Sequence, residues 1–251
     1  MQLKNATWQE VRDFSREAVC LIPTGSLEQH GPHLPLFTDT LLVTAVAEEV
    51  HDKVPEKTLL TPTIWLGCSS HHLAMDGSMS ASTQTYIQVL TDVIESLRKH
   101  RFRKFFVING HGGNREPNGI ALRELKAKYL NDVFAHAGYY ELISGGGGDL
   151  LKGHLKSIRH ACEAEASLML HLHEHLVRKE KLRDDWLVEI PPVPEGLTYI
   201  RHFDEVTEEG SWGFASLADK ETGRLLFERS VESAVKAIEH IYTGSHFQSE
   251  G

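Results

Sequence analysis

Short apolar runs alternate with longer amphipathic segments along the chain. Ala18 to Pro23 (AVCLIP), Leu59 to Leu66 (LLTPTIWL), Lys104 to Asn109 (KFFVIN) and Val133 to Ala137 read as strands. Between them the apolar positions fall at helical spacing. Asp39 opens a segment with Leu42, Val46, Val50 and Val54 on one side, and Ser82 opens one that runs to about His100 with Val89, Val93, Ile94 and Leu97. Another helix is expected from about Pro117 to Tyr129. Thr7-Trp8-Gln9-Glu10 has the capping-box pattern and predicts a first helix to about Arg16. Strand, helix and strand joined by short connections imply parallel strands with crossover helices. The expected fold class is α/β: a three-layer α/β/α sandwich with a mainly parallel central sheet, in a single domain over 1–251.

Open parallel sheets carry their sites at the carboxyl ends of the strands. Three polar, glycine-bearing loops fall there: GSLEQHG after the first strand, the His71-His72 loop after the second, and NGHGGN after the third. Composition changes little in this picture. Of 251 residues 41% are hydrophobic and 24% charged, as in ordinary globular proteins. The formal charge of −9, without a Lys/Arg stripe, argues against nucleic acid and against an anionic membrane surface. No apolar run approaches the ~20 residues of a membrane span, and the first residues lack a signal-peptide pattern, so a cytoplasmic protein is expected. Cys20, Cys68 and Cys162 have no C-x-x-C spacing and are expected to be buried reduced thiols.

The 16 histidines do change it, because several stand beside Asp, Glu and Gly in those loops. Glu28 and His30, two residues apart in an extended loop, point to one side and can flank one pocket. Asp39 is either the N-cap of its helix or a ligand, Thr38 being able to cap in its place. His111 follows the clearest strand between glycines. His160 precedes two glutamates, Glu163 and Glu165, at a helix start, one of which is a candidate ligand. Histidine nitrogen and carboxylate oxygen are the donors of hydrolytic divalent-metal sites, and a two-metal site needs a carboxylate between its cations. His72 is a candidate substrate contact by its loop position. His33, between two prolines, reads as a packing residue behind the ligands. His171, His173 and His175 read as surface positions along a helix, and His51, His100, His240 and His246 as solvent-facing. Gly145 to Gly148 reads as a surface loop or a lid.

GSLEQHGPHLPLFTD at 25–39, VINGHGGN at 107–114, HACEAEAS at 160–167 and EEGSWGFASLADKETGRLL at 208–226 together resemble the creatininase (creatinine amidohydrolase) family. The resemblance implies two divalent metal ions, zinc first, with manganese or iron as alternatives. Glu28 and His111 would bind one metal and His30 the other, with Asp39 between them and His160 as catalytic histidine. Members specific for creatinine carry a glutamate where this chain has Gly113, so Gly113 would border the substrate and Glu165 would complete the second metal. Those members also sandwich their substrate with tryptophans; Trp186 and Trp212 are the later ones here. The family's usual His-Ala-Gly and Glu-Thr-Ser have Cys162 and Ala166 in this chain. The implied function is hydrolysis of a non-peptide amide C–N bond in a small substrate. Deformylation of a pyrimidine-related formamide or small-peptide hydrolysis are the alternatives within enzymes, and a non-catalytic metal-binding protein is the alternative outside them. The resemblance also implies a homo-oligomer, a hexamer by the family's habit.

Overall fold

The computed structural model describes residues 1–185, 194, 196–197 and 199–244; Trp186 and His246 lie outside them. Four parallel strands form the main sheet: β1 (Val19–Thr24), β2 (Thr58–Leu60), β3 (Lys104–Asn109) and β4 (Val133–Gly138), in the order β2-β1-β3-β4. Their register pairs Cys20 with Leu59 and Phe105, and Thr24 with Asn109. The helices are α1 (Trp8–Asp13), α2 (Thr38–Lys53), α3 (Thr83–Lys99), α4 (Arg115–Lys128), α5 (Glu163–Leu172) and α6 (Lys220–Thr243). Asp184–Asp185 (β5) and Gly213–Phe214 (β6) form a small antiparallel pair.

Strand side chains alternate between faces, and the core divides accordingly. Val19, Leu21, Phe106 and Ile108 pack with residues of α2, α5 and α6. Cys20, Ile22, Phe105 and Val107 pack with Tyr86, Leu90 and Ile94 of α3 and Leu122 and Leu125 of α4. This is the expected three-layer sandwich. From β1 the chain crosses through α2 to β2, whereas from β3 it crosses through α4 to β4 on the other side. The carboxyl ends of β1 and β3 therefore flank a switch point of the sheet, where ligands of such folds sit.

Several expectations change. The second strand is Thr58–Leu60, not residues 59–66, because Pro62 has no N–H for the ladder; the Thr61 N–H still donates to the Leu21 carbonyl, and beyond Pro62 Ile64 meets β1 again, opposite Thr24. The first helix has its capping box but stops at Asp13, where the Arg16 guanidinium donates to the Val11, Arg12 and Phe14 carbonyls. His51 is buried rather than solvent-facing: the last turn of α2 packs on β2, and its Nδ1 lies 2.6 Å from Thr58 Oγ1. His171 and His173 are half-buried and α5 ends at Leu172, so the three histidines do not share a surface helix; His175 is exposed, as are His100 and His240. Cys20, Cys68 and Cys162 are buried and free. The glycine loop packs on α6, with Asp149 paired to Arg229 at 2.7 Å, and none of its residues borders the cavity described below. Among the described residues no helix is long and apolar enough to cross a membrane.

Candidate metal centre

The loops beyond β1 and β3 are tied before any ligand is considered. Asn114 accepts from the Cys68 N–H and donates to the Gly25 carbonyl, both at 2.9 Å, joining three loops through one amide. Thr24 Oγ1 donates to Asn109 Oδ1 at 3.0 Å across the last register pair. His33, as expected, packs behind the site, with Nε2 2.9 Å from the Ala161 carbonyl.

Inside this frame Glu28, His30, Asp39, His111 and Glu165 converge, each at most 6% exposed. Asp39 caps nothing. The N-cap residue of α2 is Phe37, and Thr38 Oγ1 donates to the Pro35 carbonyl, so Thr38 does not cap either. The Asp39 oxygens instead face His30 Nε2 at 3.1 Å and His111 Nδ1 at 3.0 Å. His111 Nδ1 also lies 3.1 Å from Glu28 Oε2. Glu28 Oε2 and Asp39 Oδ2 are nonetheless buried without an aligned hydrogen bond. Buried acceptors left like this are costly unless a cation joins them.

The histidines are oriented for the same purpose. His30 Nδ1 lies 3.1 Å from the Glu28 carbonyl, and His111 Nε2 lies 3.0 Å from the Cys68 carbonyl. A carbonyl accepts only, so each ring carries its proton there and turns the other nitrogen toward the carboxylates. Metal-ligating histidines show this arrangement. Triads of donor atoms within 4.8 Å of one another include Glu28–His30–Asp39, Glu28–His71–His111 and His30–His160–Glu165. The residues present fit a divalent metal centre.

The two glutamates of α5 separate. Glu163 accepts from the Lys152 and Gly153 N–H groups at 2.7 and 2.9 Å and holds a loop; Glu165 faces the centre and accepts from the Ala161 N–H. Cys162 has φ −88°, so the family's glycine is not needed for backbone there.

The electrostatics follow from burial among charges. Burial raises Glu165, which Asp39 pushes the same way against His30, and it reaches about 7. Burial would raise Glu28 too, but the imidazoles of His111, His72 and His30 outweigh it and hold the carboxyl below its usual range. Burial opposes charge on His30, yet Asp39, Glu165 and Glu28 push it up to about 10. His111 is raised for the same reason. Burial, with His30 and His72 nearby, lowers His160.

His72 borders the cavity and also backs Glu28. It is 2% exposed, with the Phe203 ring tilted against it at 4.4 Å between centroids and Nε2 3.3 Å from Glu28 Oε1. Gly113 borders the same cavity, of about 290 Å³, with His111, His160, Glu165 and Tyr140. A Cβ there would meet the Cys68 carbonyl oxygen at 2.2 Å and His71 Cε1 at 2.9 Å, so the space is already filled. A larger groove of about 1000 Å³, beside α1 and α3, contains none of the candidate ligands.

Sequence reasoning missed Gln29 and Phe203 and named His71 only as part of its loop. Gln29 lies between two ligands, and a polar residue there is the one local signal. His71 and Phe203 reach the centre only through tertiary structure.

The creatininase family profile, described as creatinine amidohydrolase, matches residues 4–238. The chain belongs to the creatininase family. It is 32% identical to a mycofactocin precursor peptide peptidase of Mycobacterium tuberculosis over 247 residues, 94% of this chain and 90% of that protein. It is 28% identical to a creatinine amidohydrolase of Pseudomonas putida, over 92% of this chain and 94% of that one. Solved creatininases of a Zn–Zn type and of a manganese type superpose with a TM-score of 0.81 each, at 26% and 27% identity, covering 96% of this chain and 98% of theirs. The protein is thus a metal-dependent hydrolase of the creatininase type.

Proposed function

We propose that the chain holds two divalent metal ions and hydrolyses an amide C–N bond in a small substrate. Glu28 and His111 take one ion, His30 and Glu165 the other, and Asp39 stands between them. The observation that carries this reading is the pair of buried, unaligned oxygens, Glu28 Oε2 and Asp39 Oδ2, on either side of His111 Nδ1. Zinc is the first choice, manganese or iron the alternatives, since affinity order alone does not fix occupancy. Bound there, such ions polarise a carbonyl and acidify water.

The chain's own groups do the rest. The carboxylates and imidazoles fix the ions' places, and the cavity admits a small amide. His160, neutral and with Nδ1 toward the centre, accepts a proton there and delivers it to the leaving nitrogen. His72 orients Glu28, and Gly113 leaves the wall of the cavity bare. Creatinine is not the favoured substrate, because the glutamate of creatinine-specific members has no room at 113.

Short-peptide hydrolysis is the second reading, favoured by the 32% identity to relatives named as peptidases. Formamide deformylation needs the same centre. Cytoplasmic location and a homo-oligomer, a hexamer by family habit, complete the proposal. Elemental analysis of protein purified without added metal, with hydrolysis assays on cyclic amides, formamides and short peptides, tests it. About two ions per chain and cleavage within one class are expected. Metal without hydrolysis on every class points to a non-catalytic metal-binding protein.

A further inference from the structure

Arg159 precedes the candidate catalytic histidine and borders the same cavity. Its guanidinium lies over the Trp212 ring, 5.0 Å from the centroid, and its Nε donates to Ser157 Oγ at 3.0 Å. Trp212 is fixed in turn: its backbone N–H donates to the His160 carbonyl at 2.7 Å. The side chain is thus held on two sides with its terminal nitrogens left over. Among the described residues no carboxylate lies within ion-pair distance of it, although it borders a cavity walled by Glu28, Asp39 and Glu165.

A guanidinium beside a metal centre is repelled by the bound cations unless an anion joins it. Its planar fork suits a carboxylate, and stacking on an aromatic ring pre-organises it for that use. Position sets which part of the substrate the anion belongs to. Arg159 and His160 border the same cavity, and with His160 serving the leaving nitrogen the anion is assigned to the leaving-group side.

We propose that the natural substrate is an amide whose leaving amine carries a carboxylate, and that Arg159 binds that carboxylate. This rests on the amide-hydrolase reading above and narrows it. Hydrolysis breaks the acyl C–N bond, forms a C–O bond from water and gives a proton to the amine, which leaves as an amino acid or short peptide. N-acyl amino acids and short peptides share this chemistry.

The test pairs each free acid with its C-terminal amide: N-formyl and N-acetyl amino acids in one arm, peptides of two to four residues in the other. Binding to the zinc-loaded protein is followed calorimetrically, and kcat/KM is measured on the same pairs. The acids are expected to exceed their amides by about tenfold or more in both readouts. Arg159→Gln should collapse that ratio, and Arg159→Lys should restore part of it. The arm with the larger ratio identifies the source of the carboxylate. An acid-to-amide ratio near one in the native protein, or an unchanged ratio in Arg159→Gln, overturns the proposal. Arg159-dependent binding of acids without hydrolysis of any of them supports the carboxylate site and overturns the hydrolase reading alone.

Discussion

His160 Nε2 lies 2.7 Å from the Gln29 carbonyl oxygen, and that contact decides which side of the imidazole works. The carbonyl accepts only, so the neutral ring is protonated at Nε2 and its Nδ1 lone pair faces Glu28 Oε1, 3.6 Å away. The Gln29 side chain sets the neighbouring ring in the same tautomer. Its Oε1 accepts from the Gly31 N–H at 3.0 Å, which makes Nε2 the donor, 2.8 Å from His72 Nδ1. The proton of His72 is then at Nε2, aimed at Glu28. One residue thus fixes two imidazoles in the Nε2–H tautomer, one through its carbonyl and the other through its side-chain amide.

The proposed function gives His160 proton transfer and not metal holding. His160→Ala should lower kcat by about 10²–10⁴-fold and keep the metal content. Elemental analysis beside steady-state kinetics checks this. Because His160 also falls within a donor triad with His30 and Glu165, loss of metal in His160→Ala would show a ligand instead.

Asp39 touches both His30 and His111. Asp39→Ala should therefore lose at least one of the two ions and all but a trace of activity, with the fold retained by circular dichroism. Two ions per chain retained in that variant sinks the placement of Asp39 between them.

Much of this centre was legible because its first elements are local. KFFVIN at 104–109 is the strand expected, and the residues after it turn at the sheet edge where parallel folds place ligands. Glu28, His30 and Asp39 share one loop and helix start. What was not legible depends on distant segments meeting. His51 looked like a solvent-facing helix end until β2 covered it. Glu163 and Glu165 were told apart in sequence only by the family resemblance, and it is the loop at 152–153 that claims the first. Gln29 is silent because its partners, His72 and His160, lie 43 and 131 residues away.

Metal binding should release protons. In the metal-free centre His30, at about 10, and His111, raised as well, are charged at neutral pH. A ligating imidazole must be neutral, so loading expels about two protons from these rings, and Glu165, at about 7, gives up its partial proton as well. Affinity should then rise with pH through the neutral range and fall on acidification. Zinc titrations at pH 6 and 8, in buffers of different ionisation enthalpy, read both effects. Equal affinity at the two pH values would contradict the arrangement.

Gly113→Ala tests the packing that separates this chain from creatinine-specific members. The added Cβ meets backbone at the Cys68 carbonyl, which cannot swing away as a flexible side chain can. Overpacking of this kind costs about 1–3 kcal/mol, and each kcal/mol lowers Tm by about 2–4 °C at this chain length. A Tm equal to that of the native protein would show that the 68–71 loop yields freely.

The last prediction lies outside the centre. Burial, assisted by the nearby N-terminal amine, lowers the pKa of His51 below its ordinary 6.5. The unfolded chain takes up a proton near pH 6.5 that the folded chain refuses until lower pH. Unfolded molecules bind more protons in that window, so stability is lost as pH falls through it and is regained above it. His51→Gln keeps a hydrogen-bonding group near Thr58 without titrating. Its Tm at neutral pH should fall modestly, but its further loss between pH 7.5 and 5.5 should be smaller than in the native protein. Scanning calorimetry on both proteins decides the matter, and an identical acid loss would remove His51 from the account of acid sensitivity.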